Sequence, residues 1–268
     1  MWVEQLQQAP RSSSVQTAPL TTRILERLRS RSSEQNPPAH STAGENKSHT
    51  RGHKKENLGL RLVSDNPAHN GDLIFVHGLG GNATTTWCWD RDPKYFWPSW
   101  LANEENLSSY RVFTFGYNSN LAGTDTNLNI VDFAKDLLLQ MLTFSGGLGK
   151  KCRPIGDRDI IFVCHSMGGL VVKKAFVLGK HDLEFSRILS RVYGIVFLAT
   201  PHRGSQYVKT LNLILSSIPM VTSGKSYVAD LDPKSTALQD INEQFRTACE
   251  GLKLFSFVET LKTKGLEV

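Results

Sequence analysis

From Gly71 onward the chain alternates short apolar runs with longer stretches whose apolar residues recur at helical spacing. Leu73 to Val76, Val112 to Phe115, Ile160 to Val163, Val192 to Leu198 and Leu254 to Val258 are β-branched and aromatic, which predicts strands buried on both faces. Between them, Val131 to Leu142 carries a helical repeat, and Leu238, Ile241 and Phe245 mark one face of a helix over Ser235 to Cys249. A further helix is expected from Met167 to about Leu178. This alternation predicts an α/β fold with a doubly wound, mostly parallel sheet. Tyr207 to Val221 holds a broad apolar stripe (Val208, Leu211, Leu213, Ile214, Leu215, Ile218) that suits a core helix better than a lid over an acyl pocket. Residues 1–70 lack such periodicity and read as a disordered polar tail, leaving 71–268 as the folded domain.

Charge sharpens that division. Residues 1–56 hold nine Lys and Arg against five Glu, so most of the net charge of +6 lies in the tail. The folded part has no interleaved basic and aromatic pattern, which argues against a nucleic-acid platform. The Arg and Ser bias of the tail is similar to a mitochondrial transit segment, but Glu4, Glu26 and Glu34 count against one. His49 and His53 in the tail are expected to be solvated rather than metal-bound. Cys88, Cys152, Cys164 and Cys249 are widely spaced, so neither a zinc site nor a disulfide framework is expected, and no cofactor is indicated. With no signal-peptide core and no uncharged run of the ~20 residues needed to span a bilayer, the chain reads as soluble and intracellular.

The chemistry concentrates at Asp159-Ile-Ile-Phe-Val-Cys-His-Ser-Met-Gly-Gly-Leu-Val-Val-Lys173, where an apolar strand runs into Ser166 and a helix begins at once. This is the layout of a nucleophile elbow, with Ser166 as the candidate nucleophile. Cys164 stands where the G-x-S-x-G pattern has its first glycine, and Gly168 and Gly169 supply the small side after the serine. Upstream, His77-Gly-Leu-Gly-Gly81 follows the first strong strand, and the amides of Leu79 and Met167 are the candidate oxyanion donors. The same glycines lack the Lys-Ser/Thr ending of a phosphate-binding loop. His77 and His165 are expected to serve packing and hydrogen bonding, and His202 to shape the rim of the site. Glu259, at the end of Leu254 to Val258, is the candidate triad acid, with Asp230 and Asp232 as runners-up. Trp87, Trp89, Trp97 and Trp100 suit either an acyl site or a packed cap. After Glu259 no histidine follows, so the chain is expected to lack the triad base, together with the last strand and helix of the fold. Leu254 to Val258 would then be an exposed sheet edge.

Four motifs in this order, His77-Gly-Leu-Gly-Gly, Phe115-Gly-Tyr, His165-Ser-Met-Gly-Gly and Phe197-Leu-Ala-Thr-Pro-His-Arg-Gly-Ser, resemble one family. It is the lipase-like α/β hydrolases that include the serine-active-site-containing (SERAC-type) proteins and the N-terminal hydrolase modules of fungal signalling proteins, with GPI inositol-deacylase a more distant relative. The resemblance implies a serine esterase or lipase acting on acyl or lipid esters, with association to mitochondrial or endoplasmic-reticulum membrane surfaces and phosphatidylglycerol remodelling in the SERAC-type branch. Ser166 matches the family's nucleophile, whereas Cys164 departs from its usual small residue and its Asn-His segment has no counterpart. The alternative is a catalytically incomplete hydrolase-fold module with an interaction or signalling role.

Overall fold

The computed structural model describes residues 58–119, 129–145, 152–202 and 236–258. Six strands form one sheet: β1 (Gly59–Ser64), β2 (Gly71–Val76), β3 (Tyr110–Gly116), β4 (Asp159–His165), β5 (Val192–Leu198) and β6 (Lys253–Phe257). Their order is β1-β3-β2-β4-β5-β6, and every pair is parallel except β1 with β3. All five expected strands are present. β2, β3 and β4 are almost wholly buried, which is why their residues read as unbroken apolar runs rather than as alternation.

β1 corrects the reading of residues 1–70 as tail. Its sequence, Gly-Leu-Arg-Leu-Val-Ser, is half-buried on an antiparallel edge, so it carries little of the apolar density that marks the central strands. Among the contacts that secure it to the domain are the β3 ladder and the Leu60 amide donating to Gln140 on the first helix.

That helix, α1 (Ile130–Thr143), opens on a capping box in which Asn129 and Asp132 exchange side-chain-to-backbone hydrogen bonds. Its buried stripe, Ile130, Phe133, Ala134, Leu137, Leu138 and Met141, packs on α2 (Met167–Gly179). α2 packs in turn on α4 (Thr236–Ala248), whose Leu238, Ile241 and Phe245 are buried as their spacing requires. A short helix that the periodicity did not announce, α3 (Leu183–Leu189), is nucleated by Asp182, whose side chain accepts from the Glu184 and Phe185 amides.

These helices bury Ile74, Val76, Phe162, Cys164, Ile195 and Phe197, the residues on one face of the sheet. On the opposite face Phe75 meets Trp87 and Trp97 edge-on at centroid distances of 5.1 and 5.0 Å. Short 3₁₀ turns, not an α-helix, carry those two rings. The apolar segment Tyr207 to Val221 lies outside the described residues.

At the N-terminal end of the strands, Arg111 of β3 donates to both carboxylate oxygens of Asp72 of β2, at 2.7 and 2.9 Å. Its remaining N–H groups donate to the Arg153 and Pro154 carbonyls and the Cys152 sulfur. This buried fork ties two strands to the segment leading into β4.

Candidate active site

Ser166 sits between β4 and α2 with φ 51° and ψ −123°, a backbone region that a residue with a Cβ rarely occupies. A serine before a helix ordinarily caps it, but in this conformation the side chain makes no capping bond. Oγ is buried and has no hydrogen-bond partner among the described residues. Three contacts hold the backbone in this shape. The Ser166 amide donates to the Leu198 carbonyl at 2.9 Å, while the Ser166 carbonyl accepts from Thr200 Oγ1 and from the Gly169 amide.

The small residues around the serine follow from close approach. A Cβ on Gly168 would stand 2.3 and 2.4 Å from the carbonyl oxygens of Val76 and His77, and one on Gly169 would stand 2.3 Å from Thr200 Oγ1. Cys164, two residues before Ser166, is fully buried within the helix-covered face, and burial holds its thiol well above the ordinary range. It packs; it is not a reactive group.

The loop at His77–Gly81 lies directly against the elbow, since a Cβ on Gly78 would come within 2.7 Å of Ser166 Cβ. Tyr117 and Ser119, just beyond β3, hold that loop. The Ser119 hydroxyl lies 3.2 and 3.3 Å from the carbonyls of Gly78 and Gly81, and the Ser119 carbonyl accepts from the Gly80 amide. Tyr117 donates its hydroxyl to the His77 carbonyl and its amide to His77 Nε2. With Nε2 accepting, the His77 proton is on Nδ1, which donates to the Gly78 carbonyl at 2.8 Å. Burial lowers His77 to about 4, so the ring is a neutral brace for the loop. Sequence reasoning noted Phe115-Gly-Tyr117 only as a motif and missed Ser119, because a lone serine after a strand has no distinguishing pattern.

The Leu79 and Met167 amides donate to no group among the described residues. Met167 opens α2, where helix geometry leaves the first N–H groups without intrahelical partners. His165 is half-buried, desolvation lowers its pKa, and its ring meets Trp87 edge-on at 6.4 Å with Nδ1 unpartnered among the described residues. Trp87 and Trp97 pack against Phe75, whereas Trp89 is 65% exposed, so the four tryptophans do not act as one group.

His202 is engaged on both ring nitrogens. Lys173 Nζ donates to Nδ1 at 2.7 Å and to Asn242 Oδ1 at 2.6 Å, and Ser256 Oγ lies 3.1 Å from Nε2. Burial and the Lys173 charge lower His202 to about 3, leaving it a poor proton acceptor near neutrality. Glu259, Asp230 and Asp232 lie outside the described residues. Among the described residues no cluster of three His, Cys, Asp or Glu side chains could hold a metal.

A mostly parallel sheet, a strand-to-helix elbow at a positive-φ serine, and a glycine loop packed against it define an α/β hydrolase. The chain matches the PGAP1-like alpha/beta domain over residues 70–216, more than half its length, and belongs to that family. Among curated proteins, Protein SERAC1 of Bos taurus is 30% identical over 214 residues, covering 72% of this chain and 30% of that protein. Protein SERAC1 of Danio rerio is 30% identical over 212 residues, with the same coverage. The chain thus spans about a third of the length of these relatives. Among solved structures, the mature lipase BlEst2 of Bacillus licheniformis is similar with a TM-score of 0.47 and 17% identity, over 74% of this chain and 70% of that one.

Proposed function

We propose that this chain is a serine hydrolase of acyl esters, of the lipid class by its family resemblance, with Ser166 as the nucleophile. The observation that carries this reading is the positive-φ Ser166, whose unpartnered Oγ sits on a turn packed against the His77–Gly81 loop. Ser166 Oγ attacks the acyl carbon, the Leu79 and Met167 amides stabilise the oxyanion, the alcohol leaves, and water then releases the acid from the acyl-enzyme. Each oxyanion donor contributes roughly 3 kcal/mol to such a step. Glu259, following β6 in the sequence, is the acid in this reading, and the base comes from a group outside the described residues, since no described imidazole is hydrogen-bonded to Ser166 Oγ and His77 and His202 are both committed to other hydrogen bonds. Attachment to the surface of mitochondrial or endoplasmic-reticulum membranes belongs to the same reading by resemblance. No helix among the described residues is long and apolar enough to cross a membrane.

The test is labelling with a fluorophosphonate probe, mapped by mass spectrometry, together with turnover of a p-nitrophenyl ester. Label on Ser166 and turnover, both lost in Ser166→Ala, are expected. A folded protein that takes no label would sink the hydrolase reading. It would favour the second reading, a hydrolase-fold interaction module, which is motivated by the lack of any described imidazole bonded to Ser166 Oγ.

A further inference from the structure

Lys173 and His202 have no part in the chemistry proposed above, yet they meet where α2, α4 and β6 come together. Lys173 lies on α2, two turns beyond Ser166, and is 3% exposed. Its ammonium lies over the rings of Phe197 and Phe245, 5.3 and 5.6 Å from their centroids. An ammonium can only donate, so its 2.7 Å contact with His202 Nδ1 requires that nitrogen to be unprotonated. In the neutral ring the proton is then on Nε2, aimed at Ser256 Oγ on β6. Asn242 of α4 closes the arrangement, accepting from Lys173 and donating to the His202 carbonyl at 2.7 Å.

The segment that ends at His202 also reaches the serine. Ala199 has φ 50°, a positive value that it shares with Ser166. Its amide donates to the Phe257 carbonyl at 2.8 Å, and Thr200 Oγ1 donates to the Ser166 carbonyl at 3.1 Å. Four residues therefore join the end of β4 to the end of β6, and Lys173 sets the orientation of the imidazole that makes the outer join.

We propose that Lys173, His202 and Ser256 form a positioning strap, in which the lysine imposes the Nε2–H form of His202 so that residues 199–202 clamp the end of β6 to the nucleophile elbow. The catalytic part of this proposal rests on the hydrolase reading, because β6 is the strand that Glu259 follows in the sequence. The strap itself does not.

Two measurements on the full chain separate these parts. The first is the tautomer of His202 by long-range ¹H–¹⁵N correlation at pH 7. Protonated Nε2 with bare Nδ1 is expected, and a proton on Nδ1 overturns the proposal. The second is a double-mutant cycle with Lys173→Met and Ser256→Ala, followed by amide exchange of Ala199 and by the rate of fluorophosphonate labelling. Ser256 is exposed, so Ser256→Ala is expected to leave the urea midpoint unchanged while it speeds exchange at Ala199 and slows labelling about tenfold. The double variant is expected to be no worse than the worse single one, since both changes open the same strap. Additive losses overturn the proposal. If the wild-type chain takes no label, the hydrolase reading fails, and the tautomer and the exchange cycle decide the strap by themselves.

Discussion

At Ser166 the chain accepts an unfavourable backbone in exchange for geometry: a residue with a Cβ held at positive φ costs about 1–3 kcal/mol, and the buried hydroxyl finds no described partner. Ser166→Gly should therefore stabilise the fold by about 1 kcal/mol, read as a rise in the thermal midpoint, because glycine occupies this region freely. An unchanged or lowered midpoint would mean that the turn is not strained. Gly168 is the converse case. Its missing Cβ leaves room for two carbonyl oxygens that belong to the backbone and cannot rotate away. Gly168→Ala should cost on the order of 1–3 kcal/mol and displace the His77–Gly81 loop, detectable by urea denaturation and by chemical shifts at Gly78.

Two connections between elements leave no mark in the sequence. The Asp72–Arg111 pair joins β2, β3 and the approach to β4, yet nothing in the sequence links two charges so far apart. Arg111→Met leaves a buried carboxylate without its partner and should cost roughly 3–5 kcal/mol in chemical denaturation, with much of the loss recovered when Asp72→Leu is added. If the double variant is as unstable as the single one, the cost lies in packing and not in the charge. β1 is the quieter case, held at the edge by β3 and by Gln140 of α1. Gln140→Ala should cost about 1 kcal/mol and raise amide exchange in residues 59–64 ahead of the rest of the sheet.

Over the whole molecule, desolvated histidines set the response to acid. His77 and His202 are lowered to about 4 and about 3 from an unfolded value of 6.5, mainly by burial. Between those values the unfolded chain binds protons that the folded chain refuses, so the stability these rings contribute is complete above pH 6.5 and is lost as the pH falls through 4 and 3. Within that window each ring contributes a slope of up to about 1.4 kcal/mol per pH unit. The urea midpoint should therefore drop between pH 7 and pH 5, and by less in His202→Asn. A midpoint that is flat over this range would show that the rings are already charged in the fold.

Five of the six strands, three of the four described helices, the elbow and the glycine loop were legible in the sequence, because each is a local pattern: apolar runs, helical spacing, or small residues around a serine. The sequence did not disclose β1 or α3, which are short, half-exposed and defined by what they pack against. That Ser119 and Tyr117 brace the loop, that His77 is a brace, and that Lys173, Asn242 and Ser256 meet around His202 emerged from the folded chain alone. Those residues lie tens of positions apart in the chain. Their roles come from hydrogen bonds made between strand ends, and such partners carry no spacing that can be read until the sheet has brought them together.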